Sequence, residues 1–260
     1  MTGALRIRPL LTATHRYEKT VSTRGHGRGI YIDAPILAYL IETPNGRILF
    51  DVGCDYHKIA TPELRARYLE PMRPTFEVPE MSQTQRIPEY LRRLSLTVAD
   101  IDLVFLSHLH FDHAGGLCDV PGCEVHIHRD EVAAADTGEV SGIFADEIAD
   151  RENWRIQPAE YSLAPGIRAI ETPGHTAGHM SLLIELPKGP PVILCGDAAD
   201  LMENLDEEIA PGYCWQDRET DAVDSIRRLK QLATSEGADL WPNHDFDFYR
   251  TLPPFPGFRE

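Results

Sequence analysis

Apolar residues in this chain fall into short runs broken by Gly, Pro and polar turns. "APILAYLIE" (34–42) and "RILFDVG" (47–53) flank the turn signal "TPNG", a pattern that predicts a β-hairpin. "IDLVFLS" (101–107), "CEVHIHR" (123–129), "GIRAIETP" (166–173), "MSLLIELP" (180–187) and "PPVILCGD" (190–197) read as further strands, and "ADLWPNHD" (238–245) as a last short strand and loop. Helices are expected at "PEYLRRLSL", "DEVAAAD" (130–136) and "SGIFADEIADRENW" (141–154). Another is expected where Ala222, Ile226, Leu229 and Ala233 recur at helical spacing, with Gly237 as its stop. Residues 56–90 are polar, charged and rich in Pro; they predict an excursion with short helices that serves as a lid, an oligomer contact or a plain surface insertion. Short strands interleaved with helices imply an α/β or α+β sandwich, with residues 1–260 as one domain.

Several apolar runs end in metal-binding side chains. Between "IDLVFLS" and Ala114-Gly115-Gly116 lies H-x-H-x-D-H: His108, His110, Asp112 and His113. A strand fixes the base of the loop it feeds, which is why ligating groups gather there. A tight loop can turn His108 and His110 onto one ion, and the adjacent Asp112 and His113 onto a second. Imidazole with carboxylate suits zinc and neighbouring divalent ions. Downstream, "ETPGHTAGH" supplies His175 and His179, "ILCGDAAD" supplies Asp197 and Asp200, and "LWPNHD" supplies His244. Any one of these alone would read as a cap or a core polar group. Their repeated placement after apolar runs predicts convergence on one site.

Charge and cysteine content narrow the field. With 25 Lys+Arg against 41 Asp+Glu, the net charge of −16 disfavours nucleic acid and anionic membranes as partners. The five cysteines are odd in number and form no C-x-x-C, so a reducing compartment is expected. The N-terminal stretch lacks a secretory h-region, and no apolar run approaches the ~20 residues of a membrane span, so the expected location is cytoplasmic.

"SHLHFDHAGG", "TPGHTAGH", "GDAA" and "PNHD", in this order and spacing, resemble the metallo-β-lactamase superfamily. Within it, "HLHFDHAGG", "ETPGHTAGHMSLLIE" and the late "NHD" resemble the N-acyl homoserine lactonases and related lactonases. The resemblance implies an αββα sandwich of two mixed sheets flanked by helices, with two divalent ions, zinc foremost, at one edge. It implies one ion on His108, His110 and His175, the other on Asp112, His113 and His244, and Asp197 bridging them. His179 falls outside that ligand pattern and reads as a supporting residue, and Ser107 as a hydrogen-bonder of its loop. The implied chemistry is opening of a lactone ring, most simply that of an N-acyl homoserine lactone, by a metal-bridging hydroxide, with Asp112 as proton shuttle. A homodimer through 56–90 is implied as well.

The pattern departs from the family at one position. Many such lactonases carry a tyrosine three residues after the bridging aspartate; here that residue is Asp200, and an ionised carboxylate cannot donate the same hydrogen bond. Tyr213 in "APGYCW" is a candidate replacement. Phe111 and Asp200 are candidate substrate contacts. The aromatic tail "DFDFYRTLPPFPGF" is read as packing on the fold rather than lining an acyl pocket. The alternatives are a same-fold hydrolase of another small ring (4-pyridoxolactone-like or γ-butyrolactone-like), of a glyoxalase II-like thioester, or of a β-lactam. Nucleases of the superfamily need a basic face. A non-catalytic metal-binding module is disfavoured because every ligand position is filled, and iron redox chemistry because His113 and His244 are both present.

Overall fold

The computed structural model describes residues 4–72 and 75–260, so two residues of the 56–90 excursion, Arg73 and Pro74, lie outside it. Its eleven strands are β1 (Arg6–Glu18), β2 (Tyr31–Thr43), β3 (Gly46–Phe50), β4 (Leu103–Phe105), β5 (Glu124–His128), β6 (Trp154–Gln157), β7 (Tyr161–Ala164), β8 (Ile167–Glu171), β9 (Met180–Ile184), β10 (Val192–Leu194) and β11 (Asp239–Trp241). One sheet has the order β1-β2-β3-β4-β5-β6 and the other β11-β10-β9-β8-β7. Antiparallel and parallel pairs occur in each: β1–β2–β3 are antiparallel and β3–β4–β5–β6 parallel, while β10–β11 is parallel within an otherwise antiparallel sheet. The helices are α1 (Tyr56–Ala60), α2 (Pro62–Tyr68), α3 (Ile87–Arg93), α4 (Phe111–Ala114), α5 (Arg129–Asp136), α6 (Met202–Glu207), α7 (Glu219–Glu236) and α8 (Phe246–Tyr249).

Both faces of each sheet are covered, which explains why the strands read as continuous apolar runs rather than as alternation. In β2, Leu37, Tyr39 and Ile41 point between the sheets, where they meet Leu182, Ile184, Leu194 and Trp241. Their neighbours Ala38 and Leu40 point outward into a cluster with Ile87 and Leu91 of α3. On the second sheet, Leu183 and Ile193 face Ile226, Leu229 and Ala233 of α7. The layers are therefore helix, sheet, sheet, helix, as the sequence resemblance implied.

Three expectations need correction. The strand predicted over 47–53 stops at Phe50, because Asp51 takes φ 55° and turns the chain out of the sheet. The helix predicted over 141–154 does not form: the segment is turns, Gly142 sits at φ 82°, and β6 begins at Trp154. Its apolar and acidic residues make tertiary contacts instead. The chain's longest strands include β1, to which the sequence pattern assigned no strand. Polar residues are buried along it: Thr12 donates to Ile36 O (2.9 Å), and Arg8 pairs with Glu42. Residues 56–90 do contain short helices, α1 and α2, and α7 does stop at Gly237, in the left-handed region.

Phe50 and Phe105 stack between the sheets, with ring centroids 5.8 Å apart and planes 15° from parallel. Phe50→Ala should cost about 3–5 kcal/mol in urea unfolding; a loss under about 1 kcal/mol would contradict this packing.

Candidate metal centre

The four ligand-bearing segments follow β4, β8, β10 and β11, so both sheets deliver side chains to one edge. After β4 the chain is tied down at once: Asp51 N donates to Phe105 O, Leu106 N to His126 O, and Val52 N to His113 O, at 2.9, 3.0 and 2.9 Å. Gly116 allows that last approach, since a Cβ there would lie 2.2 Å from Val52 O.

All seven predicted ligands come together. His108 Nε2 and His175 Nε2 lie 2.9 and 3.0 Å from His110 Nδ1. Asp197 Oδ2 is 3.4 Å from His175 Nε2 and 3.8 Å from His108 Nε2. Its other oxygen, Oδ1, is 3.2 Å from both His113 Nε2 and His244 Nε2. Asp112 Oδ2 stands 3.7 and 3.9 Å from the same two nitrogens. The atoms thus form two groups, His108/His110/His175 and Asp112/His113/His244, and Asp197 turns one oxygen to each.

The donor set fits divalent cations. His113 Nε2 and Asp197 Oδ1 are buried and lack hydrogen-bond partners, although buried polar atoms are normally paired. Desolvation pushes His110 down to about 4 and holds His108 and His175 well below the usual range, so these rings are neutral, as ligation requires. Against the same burial, Asp197 raises His244 to about 10 and His113 well above its ordinary value. The carboxylates of the second group therefore demand positive charge.

Second contacts aim the rings. His113 Nδ1 donates to Asp51 Oδ2 (2.8 Å), His244 Nδ1 to Pro35 O (2.8 Å), and His108 Nδ1 lies 3.0 Å from Ser107 Oγ. Each leaves Nε2 facing the site. Ser107 itself gives its backbone N–H and its hydroxyl to Asp51, at 2.7 and 2.8 Å. His179 accepts from Asp197 N (2.9 Å) through Nε2, while its Nδ1 meets Thr172 Oγ1 (2.8 Å), so both nitrogens are engaged away from the two groups. Gly196, at φ 55°, permits this contact: a Cβ there would sit 2.6 Å from His179 Nε2. Sequence reasoning missed Asp51, although a carboxylate ending an apolar run was a visible signal. It also missed Glu131 of α5. This buried carboxylate accepts from Leu109 N (3.1 Å) and Gly178 N (2.9 Å), tying together the loops that carry His108 and His175. Nothing local to Glu131 marks it.

A cavity of about 800 Å³ opens on this cluster. His110, Asp112, His175, Asp197 and His244 border it, and Phe111 and Asp200 lie in its wall. Tyr68, Met72 and Phe76 from the 56–90 excursion, with Ile143 and Phe144, make one side apolar. Burial and the charge of Asp197 push Asp200 up to about 8. Tyr213 already stands in the wall, its ring centroid 5.8 and 5.9 Å from those of His110 and His175. The aromatic tail packs elsewhere: Phe255 lies on Tyr90 (4.9 Å), and Phe248 on Trp241 (6.0 Å).

Asp51→Asn should keep the fold but lower divalent-metal affinity about 10–100-fold, because the amide cannot anchor His113 and Ser107 as the carboxylate does. Competition with a chromophoric chelator reads this directly; unchanged affinity would contradict the role given to Asp51.

Comparisons with known proteins place the chain in a family. The family model described as "Metallo-beta-lactamase superfamily" matches residues 32–244. An N-acyl homoserine lactonase of Bacillus sp is 33% identical over 231 residues, spanning 88% of this chain and 89% of that protein. The Bacillus cereus protein of the same name is 32% identical over 234 residues, with the same coverage. Among solved structures, a variant of Bacillus thuringiensis AiiA with N-decanoyl-L-homoserine bound at its active site superposes with a TM-score of 0.89, at 26% identity and full coverage of both chains. An N-acyl homoserine lactone hydrolase with N-hexanoyl-L-homoserine at its catalytic metal center gives 0.88 at 27% identity, again with full coverage of both. This chain belongs to the metallo-β-lactamase superfamily and is a metal-dependent hydrolase.

Proposed function

We propose that the protein opens the ring of N-acyl homoserine lactones at a dinuclear centre, with zinc the foremost candidate ion, and that the whole chain forms one such catalytic domain. The observation that carries this reading is the joining of a two-group ligand cluster, shared through Asp197, to a cavity with one apolar side. Relatives named for this activity, and solved relatives holding acyl-homoserine products, support the choice of substrate. In this reading the 56–90 excursion supplies cavity wall, and the net charge of −16 weighs against nucleic acid as a partner.

His108, His110 and His175 would hold one ion, Asp112, His113 and His244 the other, and Asp197 both. When bound, the pair would supply Lewis acidity toward the ester carbonyl and a hydroxide nucleophile at neutral pH. The chain's own residues do the rest. Asp112 borders the cavity and keeps its carboxylate beside the cluster, so it can take a proton from the attacking water and pass it to the ring oxygen as the C–O bond breaks. The products are a carboxylate and a hydroxyl on one chain. Phe111, Phe144 and Met72 shelter the acyl chain from water. Tyr213, a phenol and therefore a donor at neutral pH, can give the substrate a hydrogen bond from the cavity wall, and Asp200, pushed up to about 8, can give one only while protonated. Asp200 lies in the floor beside Asp197 and His244. Its presence favours one second reading, hydrolysis of a different small lactone or ester on the same centre.

A panel of lactones, thioesters and β-lactams tests the substrate: N-acyl homoserine lactones should be opened fastest, with gain of one water by mass. Faster turnover of thioesters or β-lactams would overturn the assignment. Asp112→Asn should lower kcat by about 10²–10⁴-fold in a folded protein. Retained activity would remove Asp112 from the mechanism.

A further inference from the structure

We infer that Lys58 is a positioning residue for the substrate cavity: held by Glu147 and Asp146, it pins the 140–149 loop to α1 and α2 and so fixes the apolar wall that an acyl chain meets. The inference rests on the proposed function for the identity of that chain. Lys58 lies in α1, whose start is capped by Asp55 accepting from His57 N (2.8 Å). Its ammonium stands 2.9 Å from Glu147 Oε1 and 2.7 Å from Asp146 Oδ2. It also lies over the ring of Tyr68 (4.3 Å to the centroid) and near that of Phe144 (5.1 Å). Tyr68 and Phe144 are 5.2 Å apart, and Phe144 is 5.5 Å from Phe111. All three rings line the cavity.

The burial of the pair separates it from ordinary surface ion pairs. The side chains of Lys58 and Glu147 are each only 4% exposed, and lysine is almost never buried without a reason. A buried pair adds little net stability over an apolar substitute, so its contribution lies in specifying one arrangement. That arrangement needs specifying. The 140–149 loop has no helix or strand to place Ile143 and Phe144. Phe111 N donates to Gly142 O (2.8 Å) toward one end of the loop, and Val140 and Ile148 are buried, which leaves Lys58 as the charged tie at the Glu147 end. Lys58 joins this loop to the excursion across 89 residues of chain, and its ammonium lies over the two rings, Tyr68 and Phe144, that form the wall. Loosening it leaves the ligand cluster in place and blurs only the wall.

The test uses the metal-loaded full chain and the double variant K58M/E147Q, which removes both charges and leaves no lone one buried, with E147Q alone as the milder second variant. KM and kcat are measured for N-butanoyl and N-decanoyl homoserine lactone, and the affinity for decanoate is measured by calorimetry. The expected result is a rise in KM for the decanoyl substrate of about tenfold with kcat held. Decanoate affinity should fall in parallel, while kcat/KM for the butanoyl substrate stays within about twofold. Equal losses on both lactones, unchanged decanoyl kinetics and decanoate affinity, or no decanoate binding by the unaltered protein would overturn the inference. If the unaltered protein opens neither lactone, the proposed function fails, and the decanoate affinities still decide the role of Lys58.

Discussion

Asp197 is the residue on which the site depends. One of its oxygens lies 3.4 Å from His175 and the other 3.2 Å from both His113 and His244, so a single buried carboxylate relates two groups of imidazoles drawn from three other loops. Against the cost of burial, His113, His244 and His108 hold its carboxyl well below the usual carboxylate range. The position of that carboxylate is set through its backbone. The fixing comes from His179, which accepts the Asp197 N–H, and from the left-handed Gly196 that lets the two approach. His179 thus contributes to the centre through the backbone of Asp197.

The sandwich exists, in functional terms, to bring strand ends from two sheets to one edge. The core between the sheets sets their spacing: Phe50 stacks on Phe105, and Tyr39 meets Trp241 at 5.9 Å. Phe105 is the last residue of β4 and Trp241 the last of β11, so the packed ends of these strands directly precede His108 and His244. Cross-links then stiffen the loops. Asp51 joins β3 to the His113 segment, and Glu131 joins the loops of His108 and His175. Rigid strand ends with short hydrogen-bonded loops place ligating atoms more accurately than long loops would.

Much of this was legible in the sequence, and what was not has a physical reason. H-x-H-x-D-H after an apolar run, followed by three more such placements, marked all seven clustered residues, because metal-ligand chemistry restricts residue type and strand ends restrict position. The buried strands were visible because both faces of each sheet are covered. β1 was not, since its buried side chains include Arg8, Thr12 and His15, whose partners Glu42, Ile36 O and Glu77 O lie far away in sequence. The 141–154 segment carries helix-forming residues, yet tertiary contacts prevail: Glu147 and Asp146 turn to Lys58, and Phe144 to Tyr68. Glu131 and Lys58 escaped for the same reason, and Asp51, though marked by its place at the end of an apolar run, declares its partners only in the folded chain. Each acts through contacts 22 or more residues away along the chain.

The central claim is that Asp197 is shared between two ions. Anomalous diffraction from crystals loaded with zinc or cobalt tests it most directly. The account predicts two peaks about 3.5–4 Å apart, each within bonding distance of a different Asp197 oxygen, one also bound by His108, His110 and His175 and the other by Asp112, His113 and His244. A single peak at full metal loading, or two peaks that Asp197 does not join, would contradict it.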